Sequence, residues 1–386
     1  MNANIEPLLN DAFASEPPTK RTLSYIQSQR EKGRHVVGVY CSYAPLEVIR
    51  AIDAVPAVLC AFANKPIETA EAVLPANLCP LIKSSYGFIL SDTCPFFSLS
   101  EAVIAETTCD GKKKMFELIS HYRPMFVMDL PQLPDEKEAP RNWTAVIRNL
   151  CVFLEKTFGV KVTGERVEAE IRDSNQKNRL MNRIFDFAGL TPPVITWSEL
   201  YDLTFLATPA RGADILPLLE DTIRRLEARV HEGVSFGRKD SPRVLITGSP
   251  VGGDAGKVFR IIEAAGGVIV GLDNCTGMKT FTDEIEEGTD DPFVALAERY
   301  LKIPCSCMSP NTRRLTELDK LIARFRPDAV IDVVLNACHA YNVESHKIGE
   351  HVTKEKGLRF LKIETDYSQG DVEQIRTRVE SLFQSL

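Results

Sequence analysis

Short apolar runs rich in β-branched residues, among them Val103-Ile104-Ala105-Glu106, Val268-Ile269-Val270-Gly271-Leu272 and Val330-Ile331-Asp332-Val333-Val334, recur along the chain between amphipathic helical stretches. Each run is short enough to be a buried parallel strand. Parallel strands need a crossover between them, so the alternation commits the chain to parallel sheet covered by helices. In such folds ligands bind in the crevice beyond the carboxyl ends of the strands. A cysteine follows each of these three runs at that position: Cys109, Cys275 and Cys338.

The alternation has two blocks. In the first, strands are expected at residues 35–40, 57–62 and 125–130 around the 103–106 run, with a helix opened by Pro45. The proline-rich, charged stretch 131–140 ends the strand signal, and 143–233 reads as helices broken at Gly159, Thr191-Pro192-Pro193 and Thr208-Pro209. Strands resume at 243–248, 267–272, 329–334 and 359–363. A last helix, 371–386, carries Val372, Ile375, Val379, Leu382 and Phe383 on one face. The expected class is therefore α/β: two Rossmann- or flavodoxin-like parallel-sheet domains, 21–140 and 239–386, joined by a helical region, 141–238, and preceded by an extension, 1–20. The shared rhythm is a pseudo-repeat with no residue-level repeat behind it.

Composition removes several functions. With 386 residues and 44% hydrophobic content the chain can bury a large core. A net charge of −7, with basic runs no longer than Lys112-Lys113-Lys114 and Arg313-Arg314, argues against nucleic acid as a partner. Residues 1–20 are polar, with Glu6, Asp11 and Glu16, and lack the basic flank and apolar core of a secretory signal. No stretch reaches bilayer length, so a cytoplasmic protein without membrane contact is expected. In a reducing compartment ten cysteines are not a disulfide framework.

The ten thiols fall into classes. Cys60, inside the strand-like 57–62 run, and Cys151, on a helical face with Ile147, Leu150 and Leu154, read as core. Cys41, ending the first strand, is open between core and site. The other seven sit in turns beside Pro or Gly: Cys79, Cys94, Cys109, Cys275, Cys305, Cys307 and Cys338. Cys79 precedes a Pro at a helix start, where the dipole favours the thiolate. Single thiols delivered from distant strand ends suit an iron–sulfur cluster better than zinc, whose structural sites use paired Cys-x₂₋₄-Cys knuckles absent here. The Gly-rich turn Gly248 to Val258 is not a phosphate loop, because Val251 stands at its first Gly position and Val258 replaces the Ser or Thr that would hold Mg²⁺. It reads as a tight turn over a cavity.

Longer words of the sequence carry a resemblance. Asn77-Leu78-Cys79-Pro80, Thr107-Thr108-Cys109-Asp110-Gly111-Lys112-Lys113-Lys114-Met115, Ile303-Pro304-Cys305-Ser306-Cys307-Met308, Ala337-Cys338-His339-Ala340-Tyr341 and Ile363-Glu364-Thr365-Asp366-Tyr367-Ser368 closely resemble the 2-hydroxyacyl-CoA dehydratase and benzoyl-CoA reductase subunit family. The similarity runs from about residue 20 to the C-terminus. It implies two α/β domains around an oxygen-sensitive iron–sulfur cluster, with a separate ATP-hydrolysing activator, itself an iron–sulfur protein, supplying low-potential electrons. It implies further that Cys79, Cys109 and Cys338 hold one [4Fe–4S] cubane. The surplus thiols Cys94, Cys275, Cys305 and Cys307 resemble the branch with an [8Fe–9S] double cubane, which needs about three thiolates per cubane and leaves one of the seven to spare. Either Cys94 or one of Cys305 and Cys307 is the expected spare.

Three functions follow from this. The first is a homodimeric double-cubane reductase acting on a small, hard-to-reduce molecule; the second is a [4Fe–4S] subunit of an acyl-CoA dehydratase; the third is a non-catalytic iron–sulfur or metal-storage protein. His339, beside Cys338, is the candidate proton donor, with helix capping as its ordinary alternative. Ser84, Ser85, Tyr86, Glu344 and Ser345 are candidate pocket residues. Glu364, Asp366 and Tyr367 read as structural.

Overall fold

The computed structural model describes residues 18–386, so the extension expected at 1–20 lies outside the described residues except for its last three, which open the helix Pro18–Glu31. Eight strands follow: β1 (His35–Val39), β2 (Ala54–Val58), β3 (Ala102–Glu106), β4 (Met125–Met128), β5 (Arg243–Gly248), β6 (Val268–Asp273), β7 (Ala329–Leu335) and β8 (Arg359–Thr365). They form two four-stranded sheets of order β2-β1-β3-β4 and β6-β5-β7-β8, and every pair is parallel. The two orders are the same, so the shared rhythm of the two blocks is a shared topology. Four helices separate the sheets: Ala139–Phe158, Gly164–Ala188, Trp197–Ala207 and Gly212–His231.

Local chemistry sets these boundaries. Gly159 ends the first of the four helices with φ +71°, and Thr163 starts the next by accepting from Arg166 N. Thr196 and Glu199 form a reciprocal capping box at the third. The second strand sits earlier than the sequence indicates, at 54–58 rather than 57–62. A turn at Asp53, φ +62°, brings the chain into β2 immediately, and Pro56 is tolerated because β2 is an edge strand. Cys60 consequently lies past the strand, half-buried, instead of inside a core strand. Cys151 is buried as expected, and burial pushes its thiol up to about 12.

Side-chain alternation decides how the layers pack. Val103 and Ala105 of β3 join a core that also contains β5, β7 and the helix Gly164–Ala188, whereas Ile104 faces a second core with Val37, Val39, Trp143 and Ile147. The first core is therefore continuous between the two sheets. Strand order reverses between β1 and β3 in one sheet and between β5 and β7 in the other, and at such switch points the flanking loops diverge and leave a crevice. No helix of the described residues is long and apolar enough to cross a membrane.

Candidate metal-cluster site

Both crevices open into one cavity of about 400 Å³, within the range of small-molecule and cofactor sites. Its thiols are Cys41, Cys79, Cys109, Cys275, Cys305, Cys307 and Cys338. Three of them occupy the same kind of position. Cys79, Cys109 and Cys338 are the N-cap residues of the helices Pro80–Leu90, Asp110–Ile119 and His339–Glu350, so three helix starts, with their free N–H groups, point at the cavity. The amides of Leu81 and Ile82 favour the Cys79 thiolate, that of Lys112 the Cys109 thiolate, and that of Tyr341 the Cys338 thiolate. The remaining four come from loops after β1 and β6 and from the turn after the helix Pro292–Leu301.

The sulfurs are electrostatically sorted. Hydrogen bonding between Cys79 and Cys338 holds Cys79 below and Cys338 above the ordinary thiol value. A similar bond between Cys305 and Cys307 lowers Cys305 and raises Cys307. Tyr341 Oη lies 3.8 Å from Cys305 Sγ, and Cys307 Sγ 3.8 Å from Tyr43 Oη. Burial raises the Cys109 and Cys275 thiols, opposed by Lys112 and Lys279 respectively. Two cations thus act on the thiols, Lys112 from the cavity lining and Lys279 from just behind it.

The sequence leaves Cys41 open and does not mark Lys112. The Lys112 ammonium, buried to 7% exposure, donates to Cys41 Sγ at 2.8 Å and lies 3.6 Å from Cys60 Sγ. Burial opposes its charge, but the sulfurs of Cys41, Cys60 and Cys109 outweigh that and hold it well above the usual lysine value. Cys41 itself adopts φ +56°, a conformation rare outside glycine that turns the chain sharply after β1. Glu106 fixes this turn by accepting from the amides of Tyr43 and Ala44, at 2.8 and 2.5 Å.

Cys94 stands apart from the cavity. It caps the short helix Pro95–Leu99, its Sγ accepting from Phe97 N at 3.3 Å. His339 lies on the cavity lining, at the first position of its helix and exposed. Ser84 and Ser85 accept from the amides of Ala63 and Ala61 and so hold the loop after β2. Glu344 belongs to a buried network: Arg314 pairs with Asp273 at 2.5 Å and contacts Thr247 and Glu344, while Asn311 bridges Glu344 and the Cys305 carbonyl. That network joins the ends of β5 and β6 to the turn that carries Cys305.

The Gly-rich turn is structural. A Cβ at Gly248, φ +108°, would meet Val333 O at 2.2 Å, and one at Gly253, φ +49°, would meet Phe62 O at 2.4 Å. Lys257, where a phosphate loop keeps its free lysine, is buried in an ion pair with Asp371. Ser249 and Pro250 of this turn line the cavity.

The donors fit an iron–sulfur cluster. Seven soft sulfur ligands surround the space, and no group of three His, Cys, Asp or Glu side chains among the described residues is placed to hold a single metal ion.

The model of the 2-hydroxyglutaryl-CoA dehydratase D-component family matches residues 41–386. The chain belongs to that family. It is 39% identical to a protein of Escherichia coli (strain K12) named "Putative dehydratase subunit YjiM", over 94% of each chain. It is 21% identical to the (R)-phenyllactyl-CoA dehydratase beta subunit of Clostridium sporogenes, over 96% of each. It is 20% identical to a subunit of the benzoyl-CoA reductase of Thauera aromatica, over 93% of this chain and 92% of that one. This family member is thus similar to subunits of both dehydratases and a reductase, and all three likenesses run nearly end to end.

Proposed function

We propose that the chain holds an [8Fe–9S] double cubane in the thiol cavity and, as a homodimer, reduces a small substrate with low-potential electrons received from a separate ATP-hydrolysing iron–sulfur activator. The observation that carries this reading is the convergence of seven thiols, from both sheets, on one cavity. Cys79, Cys109 and Cys338 would hold one cubane. Cys275, Cys305 and Cys307, with Cys41 as the seventh thiol, would hold the other. The cluster supplies electrons at a potential that side chains cannot reach.

The chain's own groups do the rest. Lys112 and Lys279 place positive charge beside the sulfurs, and the helix starts add main-chain N–H groups, which together stabilise added negative charge. The apolar lining restricts water. His339, exposed on the lining, is placed to pass a proton from solvent to a molecule in the cavity. With Lys257 buried against Asp371, energy from ATP would have to come from the partner.

The names of the dehydratase relatives favour a second reading, a [4Fe–4S] dehydratase subunit held by Cys79, Cys109 and Cys338 alone. Iron and acid-labile sulfide analysis of anaerobically purified protein separates the two: about eight irons per chain for the first, about four for the second. Stoichiometric zinc without iron would sink both. Substrate reduction that proceeds on ATP without an added activator would remove the proposed division of labour.

A further inference from the structure

A second, smaller chamber of about 110 Å³ adjoins the thiol cavity and shares Cys41, Ser42, Lys112, Pro250 and Cys275 with it as a common wall. Its surface is mostly apolar, yet four basic side chains reach it, Arg50, Lys112, Lys177 and Arg299, against the one carboxylate of Glu47. That carboxylate is already engaged, accepting from Tyr300 Oη at 2.8 Å. Arg50 is 1% exposed; its Nη1 donates to Ser174 Oγ at 3.3 Å and its Nη2 to Thr208 O at 2.7 Å, but its Nε has no partner among the described residues. An unmatched N–H on a buried guanidinium is costly and calls for an acceptor. Lys177 beside it donates its Nζ to Ala207 O and Ala210 O, both at 2.9 Å, while burial followed by the nearby Arg50 charge favours its neutral form, so Arg50 is the side chain left with an unmet donor. Glu47 is the one carboxylate on the chamber lining, and Arg50 Nε keeps an unmatched N–H there.

We propose that this chamber binds a small planar monoanion of the carboxylate type, seated on Arg50, and presents it to the wall shared with the thiol cavity. Its volume sets the size class. A cavity of ~150 Å³ takes benzene, so ~110 Å³ admits an anion of a few heavy atoms and excludes an acyl-CoA thioester. A guanidinium recognises a carboxylate by charge and by directed N–H donors together. The meaning of the site as a substrate pocket rests on the proposed cluster function; the binding itself does not.

The test is calorimetric titration of anaerobically purified full-length protein with formate and acetate, with benzoate as the size control and iron content measured on the same sample. Formate and acetate should bind with one-to-one saturation, and benzoate at least a hundred-fold more weakly. Arg50→Gln should weaken acetate roughly ten- to a hundred-fold, and Arg50→Lys less. Asn178→Leu changes another residue of the chamber lining without touching the Arg50 contacts and should weaken binding too, which guards against a misfolded Arg50 variant. In iron-loaded protein, acetate should perturb the paramagnetic signal of the reduced cluster, and Arg50→Gln should abolish that effect. No saturable formate or acetate binding by iron-loaded protein overturns this proposal while leaving the cluster reading intact, and so does binding indifferent to Arg50→Gln. Protein that is iron-free as purified anaerobically and still binds acetate through Arg50 supports this proposal and overturns the cluster reading.

Discussion

Lys112 Nζ stands 2.8 Å from Cys41 Sγ, a contact between the loop after β1 and the first turn of the helix after β3 that closes the floor of the thiol cavity across 71 residues of sequence. It joins two loops at one switch point. The cation is held there by sulfur, so its effect should be read on the potential of the proposed cluster.

Lys112→Met removes that charge while keeping an unbranched, apolar stem. At an effective dielectric near 20, a unit charge about 6 Å from a cluster held by these thiols would be worth a few kcal/mol, on the order of 100 mV for a one-electron step. The midpoint potential in an anaerobic titration should fall by that order, with iron content retained, and Lys112→Arg should restore most of it. An unchanged potential in a fully loaded Lys112→Met protein would refute the role.

Cys79→Ser, Cys109→Ser and Cys338→Ser should each lose at least half of the bound iron, since a hydroxyl is a poor ligand for iron. Cys94→Ser and Cys151→Ser should keep it, because one sulfur caps a short helix and the other is buried in a helix–helix core. Iron and sulfide analysis checks all five. Full loading in the first three would contradict the ligand assignment.

Glu106 is fully buried, and burial pushes its pKa up from 4.5 to about 8 despite the amides of Tyr43 and Ala44 and the charge of Lys112. The folded state therefore keeps the proton longer than the unfolded chain. Its contribution is full below about pH 4.5, declines as pH rises towards 8 and is flat above. Glu106→Gln keeps an acceptor for both amides and cannot titrate. Relative to the variant, the wild type should lose as much as a few kcal/mol between about pH 5 and 8 in denaturant titrations. Parallel pH profiles would show that this carboxyl does not titrate in that window.

Asp273→Asn should be costly for a different reason. Burial opposes the charge of Asp273, but Arg314 and Lys279 prevail and hold it below the usual carboxylate value. Removing its charge leaves Arg314, 1% exposed, short of its main counterion, for roughly 3–5 kcal/mol. Equilibrium unfolding measures this. A loss under about 1 kcal/mol would mean that Glu344 and Thr247 suffice for Arg314.

The sequence by itself determined the class and the kind of site. β-branched runs such as Val330-Ile331-Asp332-Val333-Val334 can bury both faces only in a parallel sheet, so two helix-covered sheets were legible, and local chemistry marked Cys79 as a helix-start thiol and Cys109 and Cys338 as thiols in turns just past strand runs. Tertiary structure decided which thiols meet. The sequence places Cys94 among the site thiols and leaves Cys41 open, but the turn at Cys41 opens on the switch point whereas Cys94 turns back to cap its own helix. Along the chain Lys112 belongs to a short basic run with no assigned role, and nothing marks Arg50. A single sequence records the spacing of neighbours in the chain, but the burial of a charge depends on elements that pack from elsewhere: the β1 loop for Lys112, and the Ser174 helix with the Thr208 carbonyl for Arg50.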